Sequence, residues 1–314
     1  MACVDVSVII VTFNSAAHIE QCVRSVHAQR GITFEIIVVD NASVDGTLKR
    51  VENLNCRILA SPQNLGFGQG NNLGFSSCNG RYVYLLNPDA RLTAPDALAW
   101  LCRKMEANPR WGMAGTSIRS SESQAESPPA FGYPGARHVH RDFSQLPGKI
   151  AWILGASMFI RRELYEKLGG FDPEFFLYSE ETDFCLRLRE AGFEIGHVPE
   201  VSVEHVGSAS EDLRDPYEVS GRKLRGLLRF RQKHYPWEDC ILLARRDRYR
   251  AWFRMNWNGL LARFHAPRSK WWQKSRTYRA VWEVSRQFLE GTKPTIHGKA
   301  GVNNTKPLKA PMAG

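Results

Sequence analysis

Short apolar segments of strand length recur through the first part of the chain, and each is followed by a polar loop and a helical pattern. These segments are Val6 to Phe13, Glu35 to Asp40, Arg57 to Ala60 and Tyr82 to Leu86. Most of them are apolar without alternation, which is typical of strands that are covered on both faces. Because strands separated by helices at this spacing form parallel sheets, the sequence predicts an α/β fold with a doubly wound, mostly parallel sheet.

The fourth apolar segment ends at Asn87-Pro-Asp89. Pro88 has no N–H to donate to a neighbouring strand, so the strand must stop there. In open α/β sheets, ligands bind at the carboxyl ends of the strands. A carboxylate at Asp89 therefore suits a divalent cation, and such a cation suits a diphosphate. The same residues are also typical of a plain turn, so by themselves they leave both interpretations open.

A glycine- and asparagine-rich loop precedes that strand. Gly66, Gly68 and Gly70 lack the spacing of a dinucleotide-binding fingerprint, yet they would let the backbone approach a ligand closely. Asn64 and Asn71 offer amide groups to phosphates or sugar hydroxyls. Such loops are also common as simple turns, so this signal is weak on its own.

The second half of the chain continues the alternation after a long segment, 119–148, that is rich in Ser, Pro and Gly and predicts a surface loop or lid. Ala151 to Ile160 predicts a buried strand. Glu180 to Ala191 predicts a helix that Ser179 caps. The helix dipole favours acids in the first turn and explains them without any function; these acids are Glu180, Glu181 and Asp183.

Basic residues are concentrated towards the C-terminus. Residues 1–213 carry 19 Lys and Arg against 25 Asp and Glu, a net charge of −6, whereas residues 214–290 carry 19 against 7, a net charge of +12. A mildly acidic body joined to a basic segment predicts an anionic partner for that segment, either a membrane surface or nucleic acid.

Features that report on the cellular compartment favour the cytoplasm. No stretch approaches the roughly 20 apolar residues of a membrane-spanning helix. The first strand begins so early that we expect no signal peptide. The seven cysteines are scattered without metal-like spacing, which is typical of a reducing compartment.

A set of motifs occurs in order over about residues 4–210. They are Val8-Ile-Ile-Val-Thr-Phe-Asn14, Val38-Val-Asp-Asn-Ala-Ser-Val-Asp-Gly-Thr47, Asn64-Leu-Gly-Phe-Gly68, Leu86-Asn-Pro-Asp89, Gly155-Ala156, Gly169-Gly-Phe-Asp-Pro173, Glu180-Glu-Thr-Asp-Phe-Cys-Leu-Arg187 and His205-Val-Gly-Ser208. Each is moderately specific, and the ordered set is strongly so. With them the chain resembles the family 2 glycosyltransferases, and within that family the rhamnosyltransferase-like branch. The resemblance implies the GT-A fold, a Rossmann-like sheet flanked by helices.

The resemblance also implies which residues bind the donor, a dTDP- or UDP-sugar. Thr12 and Asn14 would line the nucleotide pocket, and Asp40 would accept a hydrogen bond from the base or the ribose. The whole set expected to contact the donor comprises Thr12, Asn14, Asp40, Asn41, Asn64, Gly66, Asn71, Asn87 and Asp89.

A metal site is implied in the same way. Asp89 corresponds to the second acid of the family's Asp-x-Asp motif, and His205 corresponds to an additional metal ligand. Both would bind Mg²⁺ or Mn²⁺ through the donor diphosphate. Asn87 stands where the family has the first acid, which reduces the negative charge of the site.

The general base is expected on the predicted helix of residues 180–191. Glu181 lies where the family keeps the Asp of a Glu-Asp pair, and Glu181 is one methylene longer. Glu180 and Asp183 flank it, and the sequence leaves open which of the three acids is the base.

The implied activity is inverting, metal-dependent transfer of a hexose to a hydroxyl of a lipid-linked glycan, with rhamnose as one candidate sugar. A cation would offset the charge of the leaving diphosphate, and a carboxylate would take the acceptor proton. This chemistry requires Asp89 and Glu181 to line one cavity. The alternative is a catalytically inactive, membrane-associated relative that acts as a scaffold, which the departures at Asn87 and Glu181 would suit.

Residues 214–290 are predicted to form a basic helical extension of a catalytic domain spanning 1–213. That domain would comprise a nucleotide-sugar half, about 1–118, and an acceptor half, about 149–213. The tail, 291–314, is polar and predicted to be disordered.

Within the extension, aromatic residues and Leu alternate with Arg from Tyr249 to Phe264, a pattern typical of helices at a membrane interface. We therefore expect peripheral binding to an anionic membrane surface, on the inner face of the cell membrane. The alternative is that the extension packs on the catalytic body with its Arg side chains in solvent. Nucleic acid is disfavoured because no recognition motif is present.

Overall fold

The computed structural model describes residues 4–207 and 215–291, in which helices flank one mixed β-sheet. The strands are β1 Val6–Thr12, β2 Phe34–Asp40, β3 Arg57–Ala60, β4 Tyr82–Leu86, β5 Ala90–Leu92, β6 Trp111–Ser120, β7 Glu126–Ser127, β8 Ser157–Arg161 and β9 Glu194–His205. The helices are α1 Ile19–His27, α2 Thr47–Val51, α3 Gly66–Phe75, α4 Ala97–Ala107, α5 Arg162–Lys167, α6 Glu180–Glu190, α7 Pro216–His234, α8 Trp237–Ala262 and α9 Lys270–Gly291. The strand order is β3-β2-β1-β4-β8-β6-β9-β5, and β7 pairs with β6.

The first half of the sheet is parallel, as the sequence predicts. β1 lies between β2 and β4, with Val6 opposite both Phe34 and Tyr82. Every residue of β1 is buried, because side chains packed on both faces of the sheet exclude water. Since these strands run in one direction, Thr12 and Asp40 share an edge with the segment that follows β4.

The second half of the sheet is mixed, and β6 at its centre is not predicted from the sequence. β8 is antiparallel to both β4 and β6, whereas β6 and β9 are parallel. Gly112 and Gly115 dilute the apolar pattern of β6. A Cβ at Gly115 would come within 2.9 Å of the Ile153 side chain, so close packing requires the glycine that weakens the sequence signal.

The strand predicted from Ala151 to Ile160 is wrong in its first half, because β8 begins only at Ser157. Residues 151–156 leave the sheet, and Trp152 forms an isolated bridge with Ala130. The released segment carries Gly155 towards the edge where the parallel strands end.

The α6 helix begins at Glu180, as predicted, but its predicted side-chain cap is wrong. Ser179 occupies the N-cap position with a left-handed φ of 70°, and its side chain makes no capping hydrogen bond. Its carbonyl oxygen instead accepts the Asp183 backbone N–H at 2.9 Å.

Residues 216–291 form the predicted helical extension, α7 to α9, and the extension packs on the body. One apolar cluster joins Phe175 and Leu186 of the body to Leu228 and Phe230 of α7 and to Phe288 of α9. Among the described helices, none combines the length and the apolar character needed to cross a bilayer. The predicted boundary at residue 213 and the predicted tail beyond residue 291 lie outside the described residues.

Close packing of α7 on the body predicts opposite effects for two glycines of that helix. A Cβ at Gly226 would lie 2.2 Å from the Tyr178 carbonyl oxygen, whereas one at Gly221 would meet only the Arg225 side chain at 3.5 Å. We expect Gly226→Ala to lower the free energy of unfolding by about 1–3 kcal/mol through overpacking. Gly221→Ala, the matched control, should raise it by up to about 1 kcal/mol, because alanine favours helix.

Urea denaturation followed by circular dichroism measures both values. Equal effects of the two substitutions would contradict the close approach of α7 to Tyr178.

Candidate active site

A cavity of about 390 Å³ opens where the parallel strands end. Its walls come from the ends of β1, β2 and β4, from the start of α3, from the released segment before β8, from the start of α6, from the end of β9, and from α7. The sequence-predicted residues on its wall are Asn41, Asn64, Gly66, Asn87, Asp89, Glu180, Glu181 and His205. Asp89 and Glu181 therefore line one cavity, which the implied chemistry requires.

Asp89 is held rigidly at the end of β4. Its side chain accepts the Gly207 backbone N–H at 3.1 Å, and its Oδ1 lies 3.3 Å from His205 Nε2. Its backbone carbonyl accepts the Val206 N–H at 3.1 Å. Asp89 is 8% exposed, so its carboxylate is presented to the cavity and shielded from bulk water.

His205 and Asn87 complete this corner of the cavity. Asn87 Nδ2 lies 3.2 Å from His205 Nε2, and Asn87 Oδ1 is buried without a hydrogen-bond partner in the structure. A carboxylate, an imidazole nitrogen and an orphaned amide oxygen are therefore close together, and carboxylate and carbonyl oxygens suit Mg²⁺ and Mn²⁺. Among the described residues no group of three or more His, Cys, Asp or Glu could hold a metal ion. These side chains fit a divalent cation only if the donor diphosphate supplies further oxygens.

A second group of unsatisfied oxygens lies at the ends of β1 and β2. Thr12 Oγ1, Asp40 Oδ1 and Asn41 Oδ1 are buried and make no hydrogen bond within the described residues. Asp40 Oδ2 accepts the Ser43 N–H at 3.2 Å, and Asn41 Nδ2 donates to the Gly66 carbonyl at 3.0 Å. Of these three residues only Asn41 lines the cavity. Because buried polar atoms are nearly always satisfied, the three unpartnered oxygens indicate a place for a ligand that donates hydrogen bonds.

Of Asn14, Asn64 and Asn71, only Asn64 lies on the cavity wall. Asn14 Oδ1 accepts the Val44 N–H at 2.9 Å, which shapes the loop after β2. Asn64 Oδ1 accepts the Gly66 N–H at 2.9 Å at the cavity wall. Asn71 is buried within α3, where its amide donates to the Phe67 carbonyl, so it does not reach the cavity.

Glu180 and Glu181 begin α6 and both line the cavity. Burial raises the pKa of Glu180 well above its ordinary value, and the neighbouring charge of Glu181 adds to the effect. Glu180 Oε2 has no hydrogen-bond partner in the structure. Burial raises the pKa of Glu181 from 4.5 to about 7. A carboxyl that titrates near neutral pH is suited to accept a proton from a substrate.

Asp183 lies outside the cavity, although the sequence groups it with the two glutamates. It is fully buried, and it pairs with Arg187 at 2.8 Å, Lys233 at 2.8 Å and His234 at 2.7 Å. Burial alone would raise its pKa. The hydrogen bond from His234 and the charges of Arg187 and Lys233 outweigh burial and lower the pKa to about 2. Asp183 therefore joins α6 to α7 and has no access to a substrate.

The sequence does not predict two basic residues of the cavity wall, Arg222 and Lys223 of α7. They lie in the extension, which the sequence presents as a separate basic segment. Lys223 is exposed, with its ammonium 5.0 Å from the centre of the Tyr178 ring. The only sequence signal is the basic character of α7, which does not predict which of its Lys and Arg side chains line the cavity.

Comparisons with known proteins agree with this architecture. A family model described as "Glycosyl transferase family 2" matches residues 7–169, just over half of the 314-residue chain. The N-acetylglucosaminyl-diphospho-decaprenol L-rhamnosyltransferase of Mycobacterium tuberculosis is 26% identical over 248 residues, which cover 67% of this chain and 78% of the relative.

Two solved structures resemble the fold. The mannosyltransferase PcManGT from Pyrobaculum calidifontis, in complex with GDP-Man and Mn²⁺, aligns with a TM-score of 0.55 at 18% identity and covers 90% of this chain and 73% of that one. Residues 1–349 of S. aureus TarS with UDP align with a TM-score of 0.54 at 17% identity and cover 90% of this chain and 92% of that one. At these identities the likeness shows the GT-A fold alone.

The ion pairs of Asp183 predict a large stability effect. Asp183→Asn should lower the free energy of unfolding by about 1.5–3 kcal/mol, because it weakens the hydrogen bonds that the buried carboxylate accepts from Arg187 and Lys233. The stabilisation from Asp183 is present above pH 3.8 and is lost as the pH falls through about 2, since the folded state lowers its pKa.

The control is Glu20→Gln, which removes the exposed pair with Arg24 and should cost about 0.3–0.5 kcal/mol. Urea denaturation at pH 7 compares the two. A loss for Asp183→Asn no larger than that of the control would argue against a buried charge cluster.

Proposed function

The chain belongs to glycosyl transferase family 2 and is a glycosyltransferase, and we propose that it moves a sugar from a nucleotide-sugar donor to a hydroxyl of a lipid-linked glycan with inversion. The observation that carries the proposal is that Asp89 and Glu181 line one cavity, with the pKa of Glu181 at about 7. One carboxylate lies where a diphosphate can bind, and the other titrates where an acceptor alcohol can lose its proton.

The unsatisfied acceptors at Thr12, Asp40 and Asn41 suit the base of the donor. Uracil and thymine each present an imide N–H, and such a donor would satisfy the buried Asp40 carboxylate. This supports a dTDP- or UDP-sugar. Rhamnose is the sugar named for the Mycobacterium tuberculosis relative, which makes dTDP-rhamnose the first donor to test.

The leaving diphosphate would lie between Asp89 and the basic side chains of α7. Asp89 and His205 would hold Mg²⁺ or Mn²⁺, and the bound cation would offset the negative charge of the leaving group. Arg222 and Lys223 carry positive charge on the same cavity wall and would stabilise the same oxygens.

Glu181 would act as the base. Its carboxylate takes the proton of the acceptor hydroxyl while the bond from the sugar carbon to the diphosphate oxygen breaks and the bond to the acceptor oxygen forms. Burial and the neighbouring charge of Glu181 raise the pKa of Glu180 well above its ordinary value, which disfavours a second negative charge beside the ionised Glu181. One base and one displacement invert the configuration of the sugar carbon.

The described extension also supports binding to a membrane surface. Seven large apolar side chains of α8 are exposed, and at 100° per residue five of them lie within an arc of about 80°; these five are Leu242, Tyr249, Phe253, Trp257 and Leu260. Arg245 and Arg248 lie on one side of this stripe, Arg250 and Arg254 lie on the other, and Arg246 lies within it. An apolar stripe between rows of cations fits an anionic lipid surface at the inner face of the cell membrane, where a lipid-linked acceptor would be reached.

A catalytically inactive scaffold is the second candidate. The observation that favours it is Asn87, because the proposed metal site of Asp89, His205 and Asn87 then contains a single carboxylate. Such a protein would bind a nucleotide and a membrane without turnover.

Turnover tests the proposed base. With dTDP-rhamnose or UDP-sugars and Mn²⁺, kcat/KM should rise with pH through about 7, because Glu181 must lose its proton to act. Glu181→Gln should reduce transfer about 10²- to 10⁴-fold. Glu163→Gln, which removes an exposed carboxyl outside the cavity, should leave it unchanged.

The readout is release of the nucleoside diphosphate and label in an isoprenyl diphosphate-linked sugar. Wild-type protein that binds nucleotide but turns over no donor would establish the scaffold. Full activity of Glu181→Gln would remove Glu181 from the mechanism.

Vesicle binding tests the α8 surface. The full-length protein should co-sediment with vesicles that contain phosphatidylglycerol and much less with pure phosphatidylcholine. Phe253→Ser/Trp257→Ser should weaken binding at least about tenfold, because each buried apolar side chain contributes about 1.5–3 kcal/mol.

The control is Val44→Ser/Trp100→Ser, which removes two exposed apolar side chains of the catalytic body. Equal binding by both double variants would contradict the assignment. A shift from dimer to monomer in the α8 variant, with vesicle binding unchanged, would show that a second copy of the chain covers the stripe.

A further inference from the structure

A second cavity, of about 720 Å³, lies between α7, α8 and the loop before β8. Four arginines line it: Arg137 of the loop, Arg231 of α7, and Arg246 and Arg250 of α8. Phe131 and Leu243 supply an apolar part of the wall. None of these residues belongs to the cavity that holds Asp89 and Glu181.

The charges of this second cavity are not balanced by the protein. Its only acidic lining residue, Asp247, already accepts a hydrogen bond from Arg231 Nη1 at 2.6 Å. Within the described part of the chain, Arg137, Arg246 and Arg250 form no salt bridge. Arginines in solvent are common and need no ligand, and Arg137 and Arg250 are exposed.

Arg231 is different, because it is 4% exposed and its Nε has no hydrogen-bond partner in the structure. A buried guanidinium with an unsatisfied N–H at the wall of a cationic cavity indicates an anionic ligand with several oxygens.

The second cavity lies near the apolar stripe of α8 on one side and near the cavity that holds Asp89 and Glu181 on the other. Arg246 and Arg250 stand beside Tyr249 on α8, whose exposed side chain belongs to the apolar stripe. On the other side, Trp152 Nε1 donates to the Gly132 carbonyl at 3.3 Å. Gly155, three residues farther, lines the catalytic cavity, and three residues span at most about 11 Å.

We propose that this second cavity binds the diphosphate of an isoprenyl-linked acceptor, an inference that rests on the proposed glycosyltransfer to a lipid-linked glycan. The arginines contact the diphosphate oxygens, and Phe131 and Leu243 contact the first isoprene units. The lipid chain continues towards the stripe on α8, and the sugar extends along residues 152–155 towards Glu181.

Binding of farnesyl diphosphate to the full-length protein, measured by calorimetry without a nucleotide-sugar, tests this proposal. Arg246→Ala/Arg250→Ala should weaken binding at least about tenfold, because both substitutions remove charge-assisted hydrogen bonds to the diphosphate. Lys49→Ala/Arg50→Ala removes the same charge from the exposed end of α2, outside both cavities, and should change binding less than about twofold. Equal thermal unfolding midpoints establish that both variants fold.

Inorganic pyrophosphate separates a lipid diphosphate from a free anion. Farnesyl diphosphate should bind at least about tenfold more tightly than pyrophosphate, because its isoprene units bury apolar surface that pyrophosphate lacks. Equal affinities would overturn the lipid assignment. Absence of farnesyl diphosphate binding, or equal losses in the two double variants, would overturn the site.

The test also separates this proposal from the proposed function. Binding is measured without turnover, so an active enzyme with no farnesyl diphosphate site refutes only the second cavity. A protein that binds farnesyl diphosphate through Arg246 and Arg250 but transfers no sugar refutes only the catalytic proposal.

Discussion

The buried carboxylate of Asp183 holds the helical extension against the catalytic body. It pairs with Arg187 on its own helix and with Lys233 and His234 on α7. A buried charge is stable only while its partners compensate it, so α6 and α7 cannot separate without exposing or orphaning these groups. Glu181 lies two residues before Asp183, and Arg222 lies on the same helix as its partners. The ion-pair cluster therefore keeps a carboxylate of one helix and a cation of the other on the wall of one cavity. The basic extension is in this sense a structural part of the candidate active site.

The sequence predicts the parallel half of the sheet because each strand there is a continuous apolar run between polar loops. It cannot predict β6, because this central strand owes its tight packing to small residues such as Gly115, which weaken the apolar pattern. The site shows the same limit. Each residue on a helix is rotated by about 100° from the one before it, so Glu181 and Asp183 point in nearly opposite directions. They must therefore face different surroundings. The sequence does not say which surroundings are the cavity, because two of the partners of Asp183, Lys233 and His234, lie some 50 residues later in the chain. The motif predicts the helix. Packing against α7 then distinguishes Glu181, the candidate base, from Asp183, which is a structural acid.

The charge balance of the catalytic cavity explains how it can accept a neutral residue at Asn87. A second acid there would strengthen the hold on a metal ion and also repel the diphosphate. In this chain Asp89 supplies the carboxylate of the proposed metal site, and Arg222 and Lys223 line the same cavity. In the proposed mechanism, Arg222 and Lys223 would attract a diphosphate before any cation binds. They would supply part of the charge compensation that a metal would otherwise provide.

The segment before β8 connects the two cavities. It leaves the sheet at residues 151–156, where the sequence predicts a strand, and Ala151 and Trp152 hydrogen-bond to Ala130 at one end. At the other end, a Cβ on Gly155 would lie 3.7 Å from the Glu181 Cβ and 3.4 Å from the Phe67 ring. Any larger residue at this position would fill the space beside the candidate base, so the absence of a side chain keeps that side of Glu181 open. A hydroxyl that arrives along this segment would meet Glu181 without displacing the donor from Asp89. In the proposed mechanism one ionised carboxylate on α6 is sufficient for a single displacement, and the burial that raises the pKa of Glu181 also raises that of Glu180.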